Sequence, residues 1–541
     1  MAKIIFFGDS TIAPHEKTVT AFELFRQNFP QHTVLNYAEE AGTTQTARTR
    51  FFSDILAEKP DVVILSFGIN DAWIDVDRKK TEPRVPLTGY TENLRFFFSE
   101  LKKSGSFPLY LAPPPLILTK ELASRYDAEP YHSKGFNFLL DVYRKAAEKC
   151  AEEEKVPTVP VDKFFREREL SLCEGLSMIF PDGIHPGDLG QEWIYRLIFE
   201  ALRQKNGIFP GKCLHSFRPG ELWPDDYGIH INAHGGGILK YGNRWYWYGE
   251  HKIAGSEGNL AHVGVHVYCS EDLYNWHDCG IAFDIRSCPR LIPGINIIER
   301  PKVLYCAVTG KFVMWFHFEA RITYTAAEVG IAVADKPEGP FILQNHFRPC
   351  QGGEPFNPPG PDEIPLPDEP DHLREGVLQG QQSRDMTIFQ DEDGKAYLFH
   401  SSERNWTMHV VELTPDYLGC SRNFWRIFPR RHMEAPAVFK KDGLYYFIAS
   451  GCTGWNPNAA RSAVAPHPWG PWKELGNPAV DEGAETTYDS QSTFVLEYEG
   501  RYILMSDRWR PKNAIDGRYL WMPIVFCDGR PTIRKPQEWS L

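Results

Sequence analysis

Five times between residues 235 and 507 the chain repeats one phrase: an apolar strand, a turn containing glycine, an aromatic strand. The five are "GGGILKYGNRWYWYGE", "RPKVLYCAVTGKFVMWFH", "DMTIFQDEDGKAYLFHS", "APAVFKKDGLYYFIAS" and "QSTFVLEYEGRYILMSD". Shorter phrases recur between them, "LYNWHDCG", "PEGPFIL" and "PWGPWKEL". Short apolar runs closed by such turns read as hairpins, and no helical period separates them. A hairpin unit cannot bury both of its faces alone, so five in series predict an all-β five-bladed β-propeller. A β-sandwich would also use many short strands, but nothing in it calls for repetition. Residues 351–382 hold seven prolines and read as an extended, stiff loop inserted between blades, at the rim of a site or of a subunit contact.

The first 208 residues have another texture. Runs such as "KIIFF", "TVLNYA", "DVVILSFG", "LYLAPP" and "TVPVD" alternate with amphipathic stretches, "TENLRFFFSELKKSG", "FNFLLDVYRKAAEKCAEEE" and "DLGQEWIYRLIFEALRQKNG". Strand and helix in alternation predict an α/β/α three-layer, flavodoxin-like parallel sheet. The expected layout is multidomain: 1–208, a linker at 209–228, and the propeller at 229–541. A length of 541 residues also exceeds what one core usually holds.

Composition narrows the function. A formal net charge of −12 argues against a nucleic-acid partner, which selects a basic face. No run approaches the roughly 20 apolar residues of a membrane helix, and "KIIFF" is too short for a signal-peptide core, so the expectation is a cytoplasmic protein with no membrane partner. Eleven cysteines without a CxxC pair argue against a zinc site or a disulfide framework. No cofactor and no metal are expected. Self-association is left open.

In an α/β sheet, ligands gather at the carboxyl ends of strands, and chemistry-bearing residues recur there. Ser10 follows the first strand in "GDSTIA", Gly42 the second in "NYAEEAGTT", Asn70 the third in "FGINDAW", and Asp182 and His185 precede the last helix in "FPDGIHPGDLG". Each has a bland reading: Gly-Asp-Ser and Asn-Asp form ordinary turns, and a histidine can simply enter a helix. Taken in this order, the set resembles the SGNH, or GDSL, hydrolases over about residues 1–208. The resemblance implies Ser10 as nucleophile, His185 as its base and Asp182 as the group orienting the imidazole. It further implies an oxyanion hole from the Ser10 and Gly42 N–H groups and the Asn70 side chain. Asp9 and Asp71 read as turn holders. One departure stands: Gly42 lies six residues after Asn36, where the family usually has five. The context looks most like carbohydrate acetylesterases, although lipases and thioesterases share the frame.

In the propeller half, carboxylates and amides are expected to head the inner strands of the blades: Glu250 ending "WYWYGE", Glu299 in "IIERPKV", Asp385 in "SRDMTIF", Glu434 in "HMEAPAV" and Gln491 in "YDSQSTF". Singly each could serve a blade turn; together they could line one channel pocket. Over about 229–530 the sequence resembles glycoside hydrolase family 43, closest to its exo-β-1,3-galactanase branch. The resemblance implies Glu434 as general acid and Asp385 as the neighbour that raises its pKa and orients it. Where the family usually carries a basic aspartate, this chain has Gly235 in "AHGGGI". The galactanase branch shares that gap, and there a glutamine matching Gln491 is thought to handle the water. Glu250 and Glu299 remain open as substitutes, and by resemblance both otherwise bind the terminal sugar. Trp455 and Trp509 are candidates to stack on sugar faces, or to pack blades. The expectation is a bifunctional enzyme acting on oligosaccharides, acetylated and of plant cell-wall origin: an acetyl esterase joined to an inverting exo-β-1,3-galactosidase. Two alternatives stay open, a sugar-binding propeller without activity and a glycosidase for α-L-arabinofuranosides or β-xylosides.

Overall fold

The computed structural model describes residues 2–541 apart from 16–17, 30, 127, 169–174, 207–212, 227, 254–256, 293 and 364–369. It divides into two compact units, Met1–Pro210 and Gly211–Leu541.

Strand β1 (Lys3–Gly8) is sealed on both faces at Ile4, Ile5, Phe6 and Phe7, so it can sit only inside a covered sheet. It pairs in parallel with β2 (Thr33–Asn36) and β3 (Val62–Ser66). With β4 (Phe107–Leu111) and β5 (Thr158–Val159) the order is β2-β1-β3-β4-β5. Phe6 packs to one side against Phe22 and Phe25 of the helix Ala21–Asn28. Phe7 packs to the other side with Phe97, Phe98 and Leu101 of the helix Leu87–Lys103. Each such fully buried side chain stabilises by ~1.5–3 kcal/mol. The three expected helices are present as Leu87–Lys103, Asn137–Glu153 and Asp188–Asn206. The chain leaves β1 for β2 on one side and returns to β3 on the other, opening a crevice beyond the carboxyl ends of β1 and β3.

Among the described residues of the second unit, twenty strands, β6–β25, form five four-stranded antiparallel sheets. Their first strands are β6 (His234–Tyr241), β10 (Ile297–Cys306), β14 (Met386–Gln390), β18 (Met433–Lys441) and β22 (Gln491–Tyr498). Each first strand touches the next, and β22 touches β6, so the ring is closed. The core is a set of seams between neighbouring blades. One seam joins Tyr248 and Val267 of blade one to Met314 and Phe316 of blade two, and another joins Trp247 of blade one to Trp521 of blade five.

Two boundary expectations are corrected. Of the expected linker 209–228, residues 209–212 lie outside the described residues, but 213–226 belong to the propeller. Phe217 N–H donates to Trp539 O at 2.8 Å, and Trp539 N–H returns a bond at 3.1 Å. Phe217 and Trp223 are buried in the blade five–blade one seam, because their large apolar surfaces have that seam to fill. The Pro-rich segment is not extended throughout. Residues 364–369 lie outside the described residues, and beyond the last proline the chain forms a helix, His372–Gln379, capped by Asp371. Among the described residues no helix is long and apolar enough to cross a membrane.

Candidate active sites

The abrupt end of β1 has a steric cause. A Cβ on Gly8 would lie 2.4 Å from the Ser66 carbonyl oxygen of β3, so only glycine lets the two strands converge there. The chain then turns: Asp9, fully buried, accepts the Thr11 N–H at 3.0 Å and the Thr11 hydroxyl at 2.6 Å. Ser10 is left half-buried at the mouth of the crevice. Its Oγ lies 2.9 Å from His185 Nε2, and His185 Nδ1 lies 2.6 Å from Asp182 Oδ2. Asp182 Oδ1 also accepts the Ile184 and His185 N–H groups at 2.9 and 2.7 Å. Burial alone would raise the Asp182 pKa; the hydrogen bonds from His185 and Ile184 outweigh it and hold the carboxyl well below its usual range, so Asp182 is ionised beside the imidazole.

The expected oxyanion donors divide. The Ser10 N–H and the Asn70 amide nitrogen have no hydrogen-bond partner among the described residues, and Asn70 is fixed by its own oxygen, which accepts from Arg84 Nη1 at 2.8 Å. Gly42 N–H, however, donates to Glu39 O at 3.1 Å, so the turn before the helix Thr44–Arg50 already engages it. Asp71 is buried and accepts the Thr44 N–H and hydroxyl at 2.9 and 2.5 Å. It ties two loops of the crevice together. Sequence reasoning missed His15, whose Nε2 lies 2.7 Å from Ser10 O and whose ring meets His185 edge-on at 5.2 Å.

In the propeller a recurring local device turns side chains into the channel mouth. Register slips between His234 and Gly237, Glu299 and Lys302, and Glu434 and Ala437. Inside each slip one residue is left-handed: Gly235 (φ 61°), Arg300 (φ 55°) and Ala435 (φ 56°). A bulge at a strand head re-aims the preceding side chain. Glu250, Glu299, Asp385, Glu434, Gln491, Trp455 and Trp509 all line one cavity of about 250 Å³, with Arg300, His317 and Tyr324. A second cavity of about 320 Å³ shares Trp455, Gln491 and Trp509 and extends to Asp507. One placement differs from expectation: Glu250 lies not at an inner-strand head but near the end of the second strand, β7 (Arg244–Lys252).

The partners set the charges. Burial, and then the charge of Asp385, raise the Glu434 pKa to about 7, against the opposing pull of Arg300. Asp385 Oδ2 is held by the Ala435 N–H and by Arg300 Nη2, both at 2.9 Å. Gln491 is engaged at both ends of its amide. Its nitrogen donates to Glu434 Oε1 (3.1 Å) and Ser450 Oγ (2.9 Å), and its oxygen accepts from Arg300 (2.5 Å) and Trp509 (3.2 Å). Glu299 accepts from Tyr324 at 2.6 Å and from His317 at 2.8 Å. Burial would raise Glu299, but these bonds bring it to about 2. Glu250 pairs with Lys252 at 2.7 Å and accepts the Arg300 N–H at 3.0 Å. Trp455 is 46% exposed and meets Trp509 edge-on at 5.9 Å. Trp509 is held beneath Arg300, 5.6 Å from its guanidinium.

Among the described residues Glu299, His317 and Asp385 place candidate ligand atoms within 4.8 Å of one another. They do not suit a cation. His317 contacts Glu299 through one nitrogen and Glu319 through the other, and these two carboxylates outweigh burial to raise it to about 9. An imidazolium donates from both nitrogens and has no lone pair to offer.

The GDSL-like lipase/acylhydrolase family model matches residues 6–193, and that of glycosyl hydrolases family 43 matches 369–503. Among solved structures, a family 43 β-1,3-galactosidase bound to galactodeoxynojirimycin is 42% identical, with a TM-score of 0.57; the match covers 60% of this chain and all of that one. Among curated relatives, β-D-galactofuranosidase xynD of Aspergillus niger is 31% identical over 176 residues, 30% of this chain, and the chain spans about half of its length (49%). The uncharacterized lipoprotein YqeF of Bacillus subtilis is 31% identical over 177 residues, 30% of this chain and 70% of that protein. The acetylxylan esterase of Geobacillus stearothermophilus is 25% identical over 175 residues, 31% of this chain and 71% of that protein. The chain therefore holds two units in series, a member of the GDSL-like lipase/acylhydrolase family followed by a member of glycosyl hydrolase family 43.

Proposed function

We propose that the chain is a bifunctional carbohydrate hydrolase: a serine esterase that removes acetyl groups from plant-type oligosaccharides, and an inverting exo-glycosidase that releases terminal β-1,3-linked galactose. The observation that carries this reading is that each unit holds a proton-transfer constellation at working distance, Ser10–His185–Asp182 in one and Glu434 beside Asp385 in the other. In the first, Ser10 Oγ attacks the acyl carbon while His185 Nε2 takes its proton, and the imidazolium forms against ionised Asp182. The oxyanion falls to the Ser10 N–H and the Asn70 amide, one such donor being typically worth ~3 kcal/mol of barrier. His185 then returns its proton to the departing sugar hydroxyl, and water hydrolyses the acyl-serine. In the second, Glu434 carries the proton that the glycosidic oxygen needs, and Glu250 and Glu299 bind the terminal ring.

The likeness to an acetylxylan esterase supports acetate as the acyl group, and the likeness to a β-1,3-galactosidase supports galactose as the sugar. The two activities suit each other, because an acetyl group on the terminal ring would obstruct a cavity of this size. A second reading, a propeller that binds sugar without cleaving it, draws on Gly235 standing where a base is expected. The α-L-arabinofuranosides and β-xylosides are the other candidate sugars. The test is a paired assay on acetylated β-1,3-galacto-oligosaccharides. Ser10→Ala is expected to lose acetate release and keep galactose release, and Glu434→Gln to do the reverse. Wild-type protein that binds galactose yet releases no sugar from any glycoside would favour the binding propeller.

A further inference from the structure

An oxyanion hole works only when a side-chain amide turns its nitrogen, and not its oxygen, toward the developing charge. Asn70 stands in the short helix Ile69–Ala72, just beyond the carboxyl end of β3. Its Oδ1 accepts from Arg84 Nη1 at 2.8 Å. A guanidinium offers donors and no acceptor, so only the amide oxygen can meet it. The contact therefore decides which end of Asn70 is left for an oxyanion, and that end is Nδ2.

Arg84 is itself held in place. Its Nε reaches Asp75 Oδ1 and Oδ2 at 3.2 and 3.1 Å, and its Nη2 reaches Asp75 Oδ1 at 2.7 Å. Gripped on that side, the planar guanidinium presents its remaining arm, Nη1, to Asn70. The backbone fixes the same two segments against each other. Arg84 N–H donates to Trp73 O at 2.9 Å, and Val85 N–H donates to Asp71 O at 3.1 Å. The Tyr131 hydroxyl accepts the Ile74 N–H at 2.7 Å, and the Tyr143 hydroxyl donates to Val85 O at 2.6 Å. Hydrogen bonding within the pair holds the Asp75 carboxyl below its usual range and raises Arg84. Both therefore stay charged at any pH where a neutral imidazole can act as base.

We infer that Arg84, carried by Asp75, is a positioning residue of the esterase site, which sets the orientation of the Asn70 amide and strengthens its N–H as an oxyanion donor. This rests on the esterase reading. When Ser10 Oγ bonds to the acyl carbon, the carbonyl π electrons move onto oxygen, and the Asn70 Nδ2–H donates to the charge that gathers there. A cation bonded to Oδ1 draws electron density through the amide and leaves that N–H more polar, because linked hydrogen bonds polarise one another. Without Arg84 the amide is free to turn its oxygen toward the oxyanion, which repels it. Arg84 touches no reacting atom. Its effect is realised in the transition state and falls on kcat more than on KM.

The experiment compares wild type, Arg84→Ala, Asn70→Ala and the double variant on an aryl acetate and on acetylated β-1,3-galacto-oligosaccharides. Asn70→Ala is expected to lose roughly 10²–10³-fold in kcat, as for removal of one oxyanion donor. Arg84→Ala is expected to lose roughly 10–10²-fold in kcat with KM changed less than about twofold. In the Asn70→Ala background the same change should cost less than about twofold more, because residues acting as a unit are not additive. Guanidinium chloride below denaturing concentration should restore part of the kcat of Arg84→Ala and none of that of the double variant. Arg84→Ala within about twofold of wild-type kcat overturns the inference, as does a loss repeated in full on top of Asn70→Ala, the mark of a merely structural role. Wild type that releases acetate from neither substrate overturns the esterase reading and the inference with it. Should Arg84→Ala fail to fold, Arg84→Met, which keeps the packed stem, decides. A loss that vanishes in the Asn70→Ala background supports the positioning role, and wild-type kcat overturns it.

Discussion

Single residues decide what each site can do, and two of them make opposite predictions from geometry. Gly235 looks like a missing aspartate, so restoring one is the intuitive repair. Its φ of 61° costs an L-residue ~1–2 kcal/mol, and the new Cβ would collide with Glu250 Oε1, adding a like charge to a carboxylate already paired with Lys252. Gly235→Asp is therefore expected to lower kcat/KM for sugar release and weaken galactose binding, checked by steady-state kinetics with calorimetry. Asp182 works the other way, through bonds rather than space. Asp182→Asn keeps an oxygen for the Ile184 and His185 N–H groups, but its amide favours the wrong imidazole tautomer. Acetate release should fall by about 10⁴-fold with the thermal midpoint nearly unchanged.

At the scale of elements, period was legible and irregularity was not. The alternation of β1–β5 with helices and the five hairpin phrases follow directly from where apolar residues fall, and the structure contains those sheets. The bulges were harder, because Glu-Arg-Pro at 299–301 and Glu-Ala-Pro at 434–436 read as strand starts, although a proline removing one ladder donor after a left-handed residue is what produces the slip. Arg300 shows what the bulge achieves. Pointing inward from blade two, it donates to Gln491 and Ser492 of blade five and pairs with Asp385 at the edge of blade three. Removing one partner of a buried ion pair strands the other charge at a cost of ~3–5 kcal/mol. Arg300→Met should lower the denaturant stability of the propeller by about that much and abolish sugar release, while acetate release from the other unit persists.

At the scale of the whole molecule, each unit carries its own apolar core, and the ends of the second are joined to each other. The expected start of the propeller at 229 omits Phe217 and Trp223, yet these residues fill a seam with Trp247, Trp521 and Trp539. Phe217 also exchanges two backbone hydrogen bonds with Trp539, so the strand-like segment before blade one latches the end of blade five. A chain beginning at 229 would leave those tryptophans facing water and the last backbone groups unpaired. Losing a buried Phe and a buried Trp costs ~3–5 kcal/mol each in core truncations, enough to exhaust much of a typical domain's stability of ~5–15 kcal/mol. A fragment spanning 213–541 is therefore expected to fold and to release galactose at a rate close to that of the full chain. A fragment spanning 229–541 should melt at least ~10 °C lower, in keeping with ~2–4 °C per kcal/mol for domains of 150–250 residues, or collect in the insoluble fraction. Calorimetric melting of the two fragments side by side checks this, and equal midpoints would mean that the Phe217–Trp539 latch carries no part of the ring's closure.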